Sequence, residues 1–317
     1  MLSQGFSFEC AKEIFSRPFF TLLYDAHSVH RENFDEQSLQ ISSLLSIKTG
    51  GCSEDCAYCA QSARNGSKSP KQAIVDIDTI VDAAKKAKDN GSSRFCMSAS
   101  GRNPSDKEID FVCSAIGAVK ALGMETCVTL GFLREDQVRL LKSAGLDYYN
   151  HNVDTSPDFY SKVISTRTID DRIKTIEMVQ DSGINVCSGG IVGLGETNDD
   201  RIKMLVLLAN LKRPPQSVPL NRLVKIPCTP LQNVDDVDNF DFIRTIALAR
   251  ILMPKSYVRL SAGRDSMSEE MQALCFFAGA NSIFSGETLL TVPNADISND
   301  KKMLEKMNIA TVFIRPI

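Results

Sequence analysis

The fold of this chain is most constrained by a regular alternation of short apolar segments with longer amphipathic ones, from about residue 43 to residue 290. The apolar segments are rich in β-branched residues, which is typical of strands. The longer segments repeat their apolar residues with the helical period. Strict alternation of strand and helix predicts a parallel sheet in a protein of the α/β class.

Eight predicted strands fit this pattern, at residues 44–48, 94–98, 125–130, 147–152, 185–192, 217–224, 257–261 and 282–285. The helices predicted between them cover residues 71–90, 105–122, 134–144, 168–182, 198–212, 236–253 and 267–279. Glycines such as Gly123 and Gly145, just past a helical segment, are typical stop signals. Eight units in roughly 250 residues predict a (β/α)8 TIM-type barrel, with its active site at the C-terminal ends of the strands. The competing open doubly wound sheet lacks a G-x-G-x-x-G motif after the first strand.

The barrel is predicted to span residues 39–291, between an N-terminal helical extension (1–38, with a helix near 8–16) and a short C-terminal extension (292–317). The N-terminus lacks the basic start and apolar core of a secretory signal, so we expect a cytoplasmic protein. No apolar run is long enough to span a bilayer. A net charge of −3 without a basic block argues against a nucleic-acid partner, and we expect a small molecule instead.

Three cysteines, Cys52, Cys56 and Cys59, follow the first predicted strand in one short loop. Iron–sulfur clusters usually take four cysteine ligands, so three closely spaced cysteines indicate a [4Fe-4S] cluster with one iron left open for chemistry. The C-x3-C-x2-C spacing resembles the signature of the radical S-adenosylmethionine (SAM) superfamily. That resemblance implies that the open iron binds SAM and that an electron from the cluster releases a 5′-deoxyadenosyl radical.

Other uses of the three-cysteine loop fit the sequence less well. A structural zinc site takes four ligands, and the nearest histidines, His30 and His151, lie outside the usual spacing. Ten cysteines in 317 residues are too sparse for a disulfide framework. A simple electron carrier would close all four cluster ligands and needs no barrel. Reduced cysteines that bear a cofactor are therefore expected.

A second group of cysteines, Cys96, Cys127 and Cys187, lies inside the second, third and fifth predicted strands. Free cysteine is among the most buried residue types, so packing alone could account for this group. Arg259, inside the seventh predicted strand, needs anionic partners if it points into the barrel, and thiolates would supply them. A packing role and a shared metal role both stay open at this point.

Longer motifs carry a closer resemblance. Residues 50–62, 148–155, 187–196 and 257–264 resemble the biotin synthase family of radical SAM enzymes, and the likeness extends over nearly the whole chain. The resemblance implies a sulfurtransferase that inserts sulfur between C6 and C9 of dethiobiotin to form biotin, with two SAM molecules consumed. It also implies a flavodoxin-type electron donor and a homodimer.

The same resemblance implies ligands for two clusters. The [4Fe-4S] cluster would be held by Cys52, Cys56 and Cys59. The [2Fe-2S] cluster, the sulfur donor, would be held by Cys96, Cys127, Cys187 and Arg259. No side chain is predicted to be catalytic, because the radical arises at the cluster-bound SAM.

Contacts to SAM and substrate are implied in the same way. The SAM-binding residues would be Tyr58 beside the adenine, Asp154 at the ribose hydroxyls and Arg172 at the carboxylate. The substrate-binding residues would be Asn152 and Asn221 at the ureido ring of dethiobiotin, together with Asn150. His151, next to Asn150, is expected behind these contacts rather than as a ligand.

Two related enzymes compete with this interpretation. Lipoyl synthase carries a further N-terminal cysteine triplet, whereas only Cys10 precedes Cys52 here. A mutase-like relative would be expected to lack the complete second ligand set. The chain departs from the family at one place, where Thr291 is followed by Val292 instead of a second threonine near the carboxylate tail of dethiobiotin.

Overall fold

Parallel strands close into a barrel with the helices packed around it. The computed structural model describes residues 5–35, 37–67, 69–286 and 288–311, so residues 1–4 and 312–317 of the two predicted extensions lie outside the described residues. The strands in these ranges are β1 (Ser38–Lys48), β2 (Arg94–Ala99), β3 (Glu125–Thr129), β4 (Tyr148–Asn150), β5 (Asn185–Cys187), β6 (Gly190–Val192), β7 (Ser217–Arg222), β8 (Tyr257–Leu260), β9 (Ser282–Phe284), β10 (Thr288–Leu289), β11 (Val292–Pro293) and β12 (Ala310–Thr311). β1 pairs with both β2 and β9, which closes the sheet and confirms the predicted (β/α)8 barrel.

The first strand begins earlier than predicted. β1 starts at Ser38 instead of residue 44, because its first residues pair with β12 and β9. Gln40 and Ser42 interrupt the apolar pattern there, yet both side chains are buried. Polar residues that face a barrel interior thus concealed the start of the strand.

A single strand was predicted over residues 185–192, but the structure has two short strands there. β5 ends at Cys187, and β6 begins at Gly190. A Cβ atom on Gly189 would lie 1.9 Å from the carbonyl oxygen of Pro219 on β7. Only glycine permits so close an approach of two backbones, and the strand breaks at this point.

Eleven α-helices lie in the described part of the chain: α1 (Phe8–Phe15), α2 (Phe19–Asn33), α3 (Ile77–Asp89), α4 (Asp106–Ala121), α5 (Glu135–Ser143), α6 (Pro157–Val163), α7 (Ile169–Asp181), α8 (Asn198–Ala209), α9 (Asn239–Leu252), α10 (Glu269–Phe277) and α11 (Ile297–Lys306). Each predicted helix is present. Gly123 and Gly145 have φ angles of 76° and 85°, the left-handed conformation expected just past a helix end. Ser105 and Glu108 form a capping box that fixes the start of α4.

Three helices were not predicted. α6 has only seven residues, although Ser156 caps it and Pro157 opens it. α2 lacks a side-chain cap and is held by packing on α9, where the rings of Phe19 and Phe240 lie 5.1 Å apart. α11, capped by Asp296, lies in the predicted C-terminal extension. Short or uncapped helices that depend on tertiary contacts carry weak local signals.

The main hydrophobic core lies between the barrel and its helices. Ile109, Val112 and Ile116 of α4 are fully buried in it, as is Val128 of β3. None of the helices in the described ranges is long and apolar enough to cross a membrane. The helical layer therefore supports the barrel from outside and leaves the C-terminal rim of the strands to the loops.

Candidate functional site

A cavity of about 320 Å³ opens at the C-terminal ends of the barrel strands. It is lined by every residue predicted to bind a cluster, SAM or the substrate: Cys52, Cys56, Tyr58, Cys59, Cys96, Cys127, Asn150, Asn152, Asp154, Arg172, Cys187, Asn221 and Arg259. These residues are scattered over more than two hundred positions of the chain. Barrel closure brings all of them to one place.

The three-cysteine loop begins at two glycines that turn the chain out of β1. Gly50 and Gly51 have φ angles of 72° and 67°. A Cβ atom on Gly50 would also lie 2.7 Å from the Pro70 carbonyl oxygen. Cys52 is then tied to the end of the loop, because its N–H donates to Gln61 O at 3.0 Å and its carbonyl accepts from Ala63 N at 2.8 Å. The loop is thus a closed turn at the rim of the barrel.

Cys56 and Cys59 of this loop lie in a low-dielectric environment. Asn65 holds the loop backbone by donating from Nδ2 to the carbonyl oxygens of Cys56 and Cys59, at 2.9 and 2.8 Å. Burial raises the pKa of Cys56 to about 12 and also raises the pKa of Cys59. Buried thiolates therefore need a cationic partner, and iron of a bound cluster would supply it.

Two acidic residues inside the loop anchor it to the segment before α7. Glu54 is buried and accepts from Arg102 Nη1 at 2.8 Å and from the Thr166 hydroxyl. Asp55 accepts from the backbone N–H groups of Ser165 and Thr166 at 3.0 and 3.2 Å. Burial alone would raise the pKa of Asp55, but the hydrogen bonds from Ser165 and Thr166 outweigh it and lower that pKa to about 2. The loop is thus held by the ionised carboxylate of Asp55 and by the contacts of Glu54 with Arg102 and Thr166.

Arg167 is a residue of this cavity that the sequence reasoning missed. It lies between α6 and α7, lines the cavity, and donates from Nη2 to Cys56 Sγ at 3.3 Å. The two residues are 111 positions apart, and neither a motif nor a periodic pattern connects them. Glu54 and Arg102 were missed for the same reason. The only local signal was their position in loops at the predicted catalytic rim.

Asp154 and Arg172, both predicted to bind SAM, form an ion pair with each other. Arg172 Nη2 lies 2.6 Å from Asp154 Oδ2, and Arg172 Nε donates to the Tyr160 hydroxyl at 3.1 Å. Asp154 has a φ angle of 66°, a left-handed conformation that costs a non-glycine residue about 1–3 kcal/mol. Hydrogen bonds to Gly189 O and from Ile191 N hold it there. Such strained positions cluster at functional sites.

The asparagines predicted to contact substrate already take part in hydrogen bonds. Asn150 Nδ2 donates to Asn152 Oδ1 at 3.2 Å and lies 3.4 Å from Cys187 Sγ. Asn221 bridges neighbouring strand ends, because Nδ2 donates to Gly190 O and Oδ1 accepts from Ala262 N. The amide groups are therefore fixed in orientation on the cavity wall.

The second group of cysteines lies deeper in the barrel. Cys96 and Cys127 stand opposite each other on β2 and β3, and both are buried together with Cys187 and Phe284. The neighbouring Cys127 thiol and the charge of Arg259 lower the pKa of Cys96 and of Cys187, whereas Cys187, Cys96 and burial raise the pKa of Cys127. Two of the three thiols therefore favour the thiolate form.

Arg259 is fully buried beneath these thiols. Its Nε donates to Ser282 Oγ at 2.9 Å, and its Nη2 donates to Ser42 Oγ and Gln40 Oε1 at 2.9 and 3.2 Å. Its Nη1 has no hydrogen-bond partner among the described residues. An unpartnered buried donor in a cavity with three thiols fits a bound group with several ligands.

No group of three or more His, Cys, Asp or Glu side chains within the described ranges is arranged around a single metal ion. An iron–sulfur cluster takes separate ligands on separate irons, so its thiolates need not converge on one point. The chemistry of the donors and the unpartnered nitrogen of Arg259 therefore fit a cluster.

The C-terminal chain closes one side of the cavity. The β10–β11 hairpin contributes Leu289, Leu290, Thr291 and Val292 to the lining. The Thr291–Val292 pair noted in the sequence thus lies at the cavity wall. An apolar wall of this kind limits the access of water to the groups inside.

Comparisons with known proteins agree with this geometry. Residues 46–209 match the family model described as the radical SAM superfamily, and residues 219–310 match the one described as the biotin and thiamin synthesis associated domain. A biotin synthase from Rickettsia felis is 55% identical over 303 residues, which cover 96% of this chain and 98% of the relative. The chain belongs to the biotin synthase family. A biotin synthase from Lawsonia intracellularis is 54% identical over 311 residues, 98% of either chain.

Membership of the biotin synthase family confirms several predictions from the sequence. The chain is a radical SAM enzyme of the sulfurtransferase class, and the cofactors of the family are a [4Fe-4S] cluster, a [2Fe-2S] cluster and SAM. The crystal structure of a methylornithine synthase is similar, with a TM-score of 0.81 at 18% identity over 98% of this chain and 95% of that one. That likeness concerns the fold alone.

Proposed function

We propose that this enzyme forms biotin by inserting sulfur between C6 and C9 of dethiobiotin, with the sulfur taken from the [2Fe-2S] cluster. One observation carries the proposal. The three-cysteine loop at the rim and the three strand cysteines with Arg259 beneath it line the same cavity. A radical source and a sulfur source would then face one substrate.

The two sets of donors would hold different clusters. Cys52, Cys56 and Cys59 would hold the [4Fe-4S] cluster, with one iron left for SAM. Cys96, Cys127, Cys187 and Arg259 would hold the [2Fe-2S] cluster. When bound, the clusters and SAM supply a radical that removes hydrogen from an unactivated carbon, and the sulfur that replaces it.

Asp154 and Arg172 would bind two different groups of SAM, the ribose hydroxyls and the carboxylate. The Asp154 carboxylate accepts hydrogen bonds, as two ribose hydroxyls require, and the Arg172 guanidinium matches a carboxylate in a bidentate pair. Their mutual ion pair keeps both side chains at the cavity wall. Tyr58, whose pKa burial raises well above its usual value, stays protonated beside the proposed adenine position.

Asn150, Asn152 and Asn221 would position dethiobiotin. An amide side chain offers both a donor and an acceptor, the pattern that the ureido ring presents. The hydrogen bonds of Asn221 to Gly190 O and Ala262 N fix that amide in one orientation. Because this amide is already fixed, it loses no further side-chain freedom when it holds the substrate.

No side chain is assigned a proton-transfer role. The C6 and C9 hydrogens of dethiobiotin are not acidic, so a general base has nothing to remove there. The chain would instead orient its ligands and exclude water from the radical, for which Leu44, Phe284 and Leu289 on the cavity wall are suited.

The proposal is tested by anaerobic reconstitution followed by iron and sulfide counts and by incubation with dethiobiotin, SAM and a reductant. We expect six irons per chain and biotin as product. Cys127→Ala should lower the count to four and abolish biotin formation while 5′-deoxyadenosine still forms. Cys113→Ala, a half-buried thiol on α4 outside the cavity, is the control and should retain six irons. Formation of 5′-deoxyadenosine without biotin in the wild type would contradict the substrate assignment.

We propose four further properties, the electron donor and the dimer from the family resemblance, and the location and the division of the chain from the sequence pattern. They are a flavodoxin-type electron donor, a homodimer, a cytoplasmic location, and a division of the chain into a catalytic barrel (39–291) with extensions at 1–38 and 292–317. Size-exclusion chromatography with light scattering tests the dimer, and reduction of the enzyme by a purified flavodoxin tests the donor.

A further inference from the structure

Arg167 stands apart from the other charged residues of the cavity because it contacts a cysteine sulfur. Its guanidinium is nearly buried, with 7% of the side chain exposed, and Nη2 donates to Cys56 Sγ at 3.3 Å. Within the part of the chain that the structure describes, its Nε has no hydrogen-bond partner. The ring of Phe132 lies 5.6 Å from the guanidinium carbon and restricts the side chain further.

The carboxylate that pairs with Arg167 is shared with a second guanidinium group. Glu54 Oε2 lies 3.7 Å from Arg167 Nε. Glu54 also pairs with Arg102 at 2.8 Å and accepts from the Thr166 hydroxyl. Of the two guanidinium groups, that of Arg167 contacts the Cys56 sulfur, so its positive charge lies next to a predicted cluster ligand.

We infer that Arg167 is a positioning residue that acts through the Cys56 sulfur to raise the reduction potential of the [4Fe-4S] cluster. This inference rests on the proposed function, in which Cys56 is a cluster ligand. Reduction adds one electron, and hence one negative charge, to the cluster and its thiolates. Hydrogen bonds to ligand sulfurs and nearby positive charge stabilise that reduced form. A charge-assisted N–H donor in a low-dielectric site exerts this effect strongly.

The test is a redox titration of the reconstituted full-length enzyme without SAM or dethiobiotin. Dithionite supplies the electron through mediators, and the [4Fe-4S]⁺ signal in electron paramagnetic resonance measures the reduced fraction. Arg167→Gln removes the charge and the forked donor, whereas Arg167→Lys keeps the charge alone. Arg102→Gln is the matched control, because Arg102 pairs with the same Glu54 but has no contact with a cysteine sulfur.

We expect Arg167→Gln to lower the ratio of reduced to oxidised cluster at a fixed potential about tenfold, which for one electron equals about 59 mV. Arg167→Lys should give an intermediate ratio, and Arg102→Gln should change it less than about twofold because that charge is half exposed. Ratios for both Arg167 variants within twofold of the wild type would overturn the inference. If Arg167→Gln loses the [4Fe-4S] cluster, so that the iron count falls from six to two, Arg167→Lys decides alone.

The same experiment separates this inference from the proposed function. A wild-type enzyme without a reducible [4Fe-4S] cluster would overturn both. A wild-type cluster that reduces normally, with unchanged ratios in the variants, would overturn the role of Arg167 only.

Discussion

Removal of Asp300 should detach the C-terminal chain from the barrel rim. Asp300 on α11 accepts from Arg264 Nη1 and Nη2, both at 2.6 Å. Arg264 lies just after β8 with none of its side chain exposed, and it also donates to Gln272 on α10 and to the Phe284 carbonyl. Asp300→Ala would leave this guanidinium buried without its counter-charge.

The expected cost follows from that burial. Removal of one partner from a buried ion pair destabilises a protein by about 3–5 kcal/mol, since an uncompensated charge remains. An unfolding entropy of about 2.1 cal/mol/K per residue gives about 0.7 kcal/mol/K for a chain of 317 residues. The melting temperature of Asp300→Ala should therefore fall by about 4–8 °C.

Differential scanning calorimetry measures this change, and the chain offers a matched control. Lys306 on α11 pairs with Glu269 on α10, so it links the same part of the structure through an ion pair that is about half exposed. Lys306→Ala should cost less than about 1 kcal/mol. The double variant Arg264→Met/Asp300→Ala should recover part of the loss, because the orphaned charge is gone. A melting temperature for Asp300→Ala equal to that of Lys306→Ala would refute the reasoning.

Three other expectations follow from the structure. Gly189→Ala puts a methyl group 1.9 Å from the Pro219 carbonyl oxygen and should lower the free energy of unfolding, measured by urea titration, by about 3 kcal/mol. The control Gly117→Ala on α4, with open space around it, should raise that free energy by about 0.5–1 kcal/mol. Equal effects of the two variants would contradict the contact between Gly189 and Pro219. Burial lowers the pKa of His30 from 6.5 to about 4. Below pH 6.5 the unfolded chain therefore binds a proton that the folded chain does not. The free energy of unfolding should fall by about 2 kcal/mol between pH 6.5 and pH 5. His30→Leu should remove that part of the pH dependence, and an unchanged slope would count against it. Asp154→Asn leaves Arg172 without its counter-charge and should lower the free energy of unfolding, measured in thermal melts, by about 3 kcal/mol. Asp158→Asn, in the exposed pair with Lys203, should lower it by less than about 1 kcal/mol.

The barrel was predictable because its pattern is local. Apolar runs with strand period, helical spacing and stop glycines such as Gly123 lie within short windows of sequence. The prediction was wrong where tertiary contacts outweighed the local pattern. The polar residues Gln40 and Ser42 belong to β1 because they pair with β9, and inside the barrel their side chains accept hydrogen bonds from Arg259. The predicted fifth strand is broken at Gly189 by a backbone contact with β7.

Residues of the candidate site were likewise predictable only where a local motif contains them. Spacing alone drew attention to Cys52, Cys56 and Cys59, because ligands of one cluster are close in sequence. Arg167 and Glu54 carried no such signal, since their contacts join loops more than a hundred residues apart. The sequence also could not show that Asn221 is already engaged by two strand ends.

By itself, the amino-acid sequence determined the barrel, the three-cysteine loop at its rim and the family to which the chain belongs. Each of these can be predicted from local patterns or from motifs. Only the tertiary structure decided which side chains share a cavity and which charges lie next to which thiols. Barrel closure sets those distances, and a contact such as that between Arg167 and Cys56 exists only once the strands between them are in register.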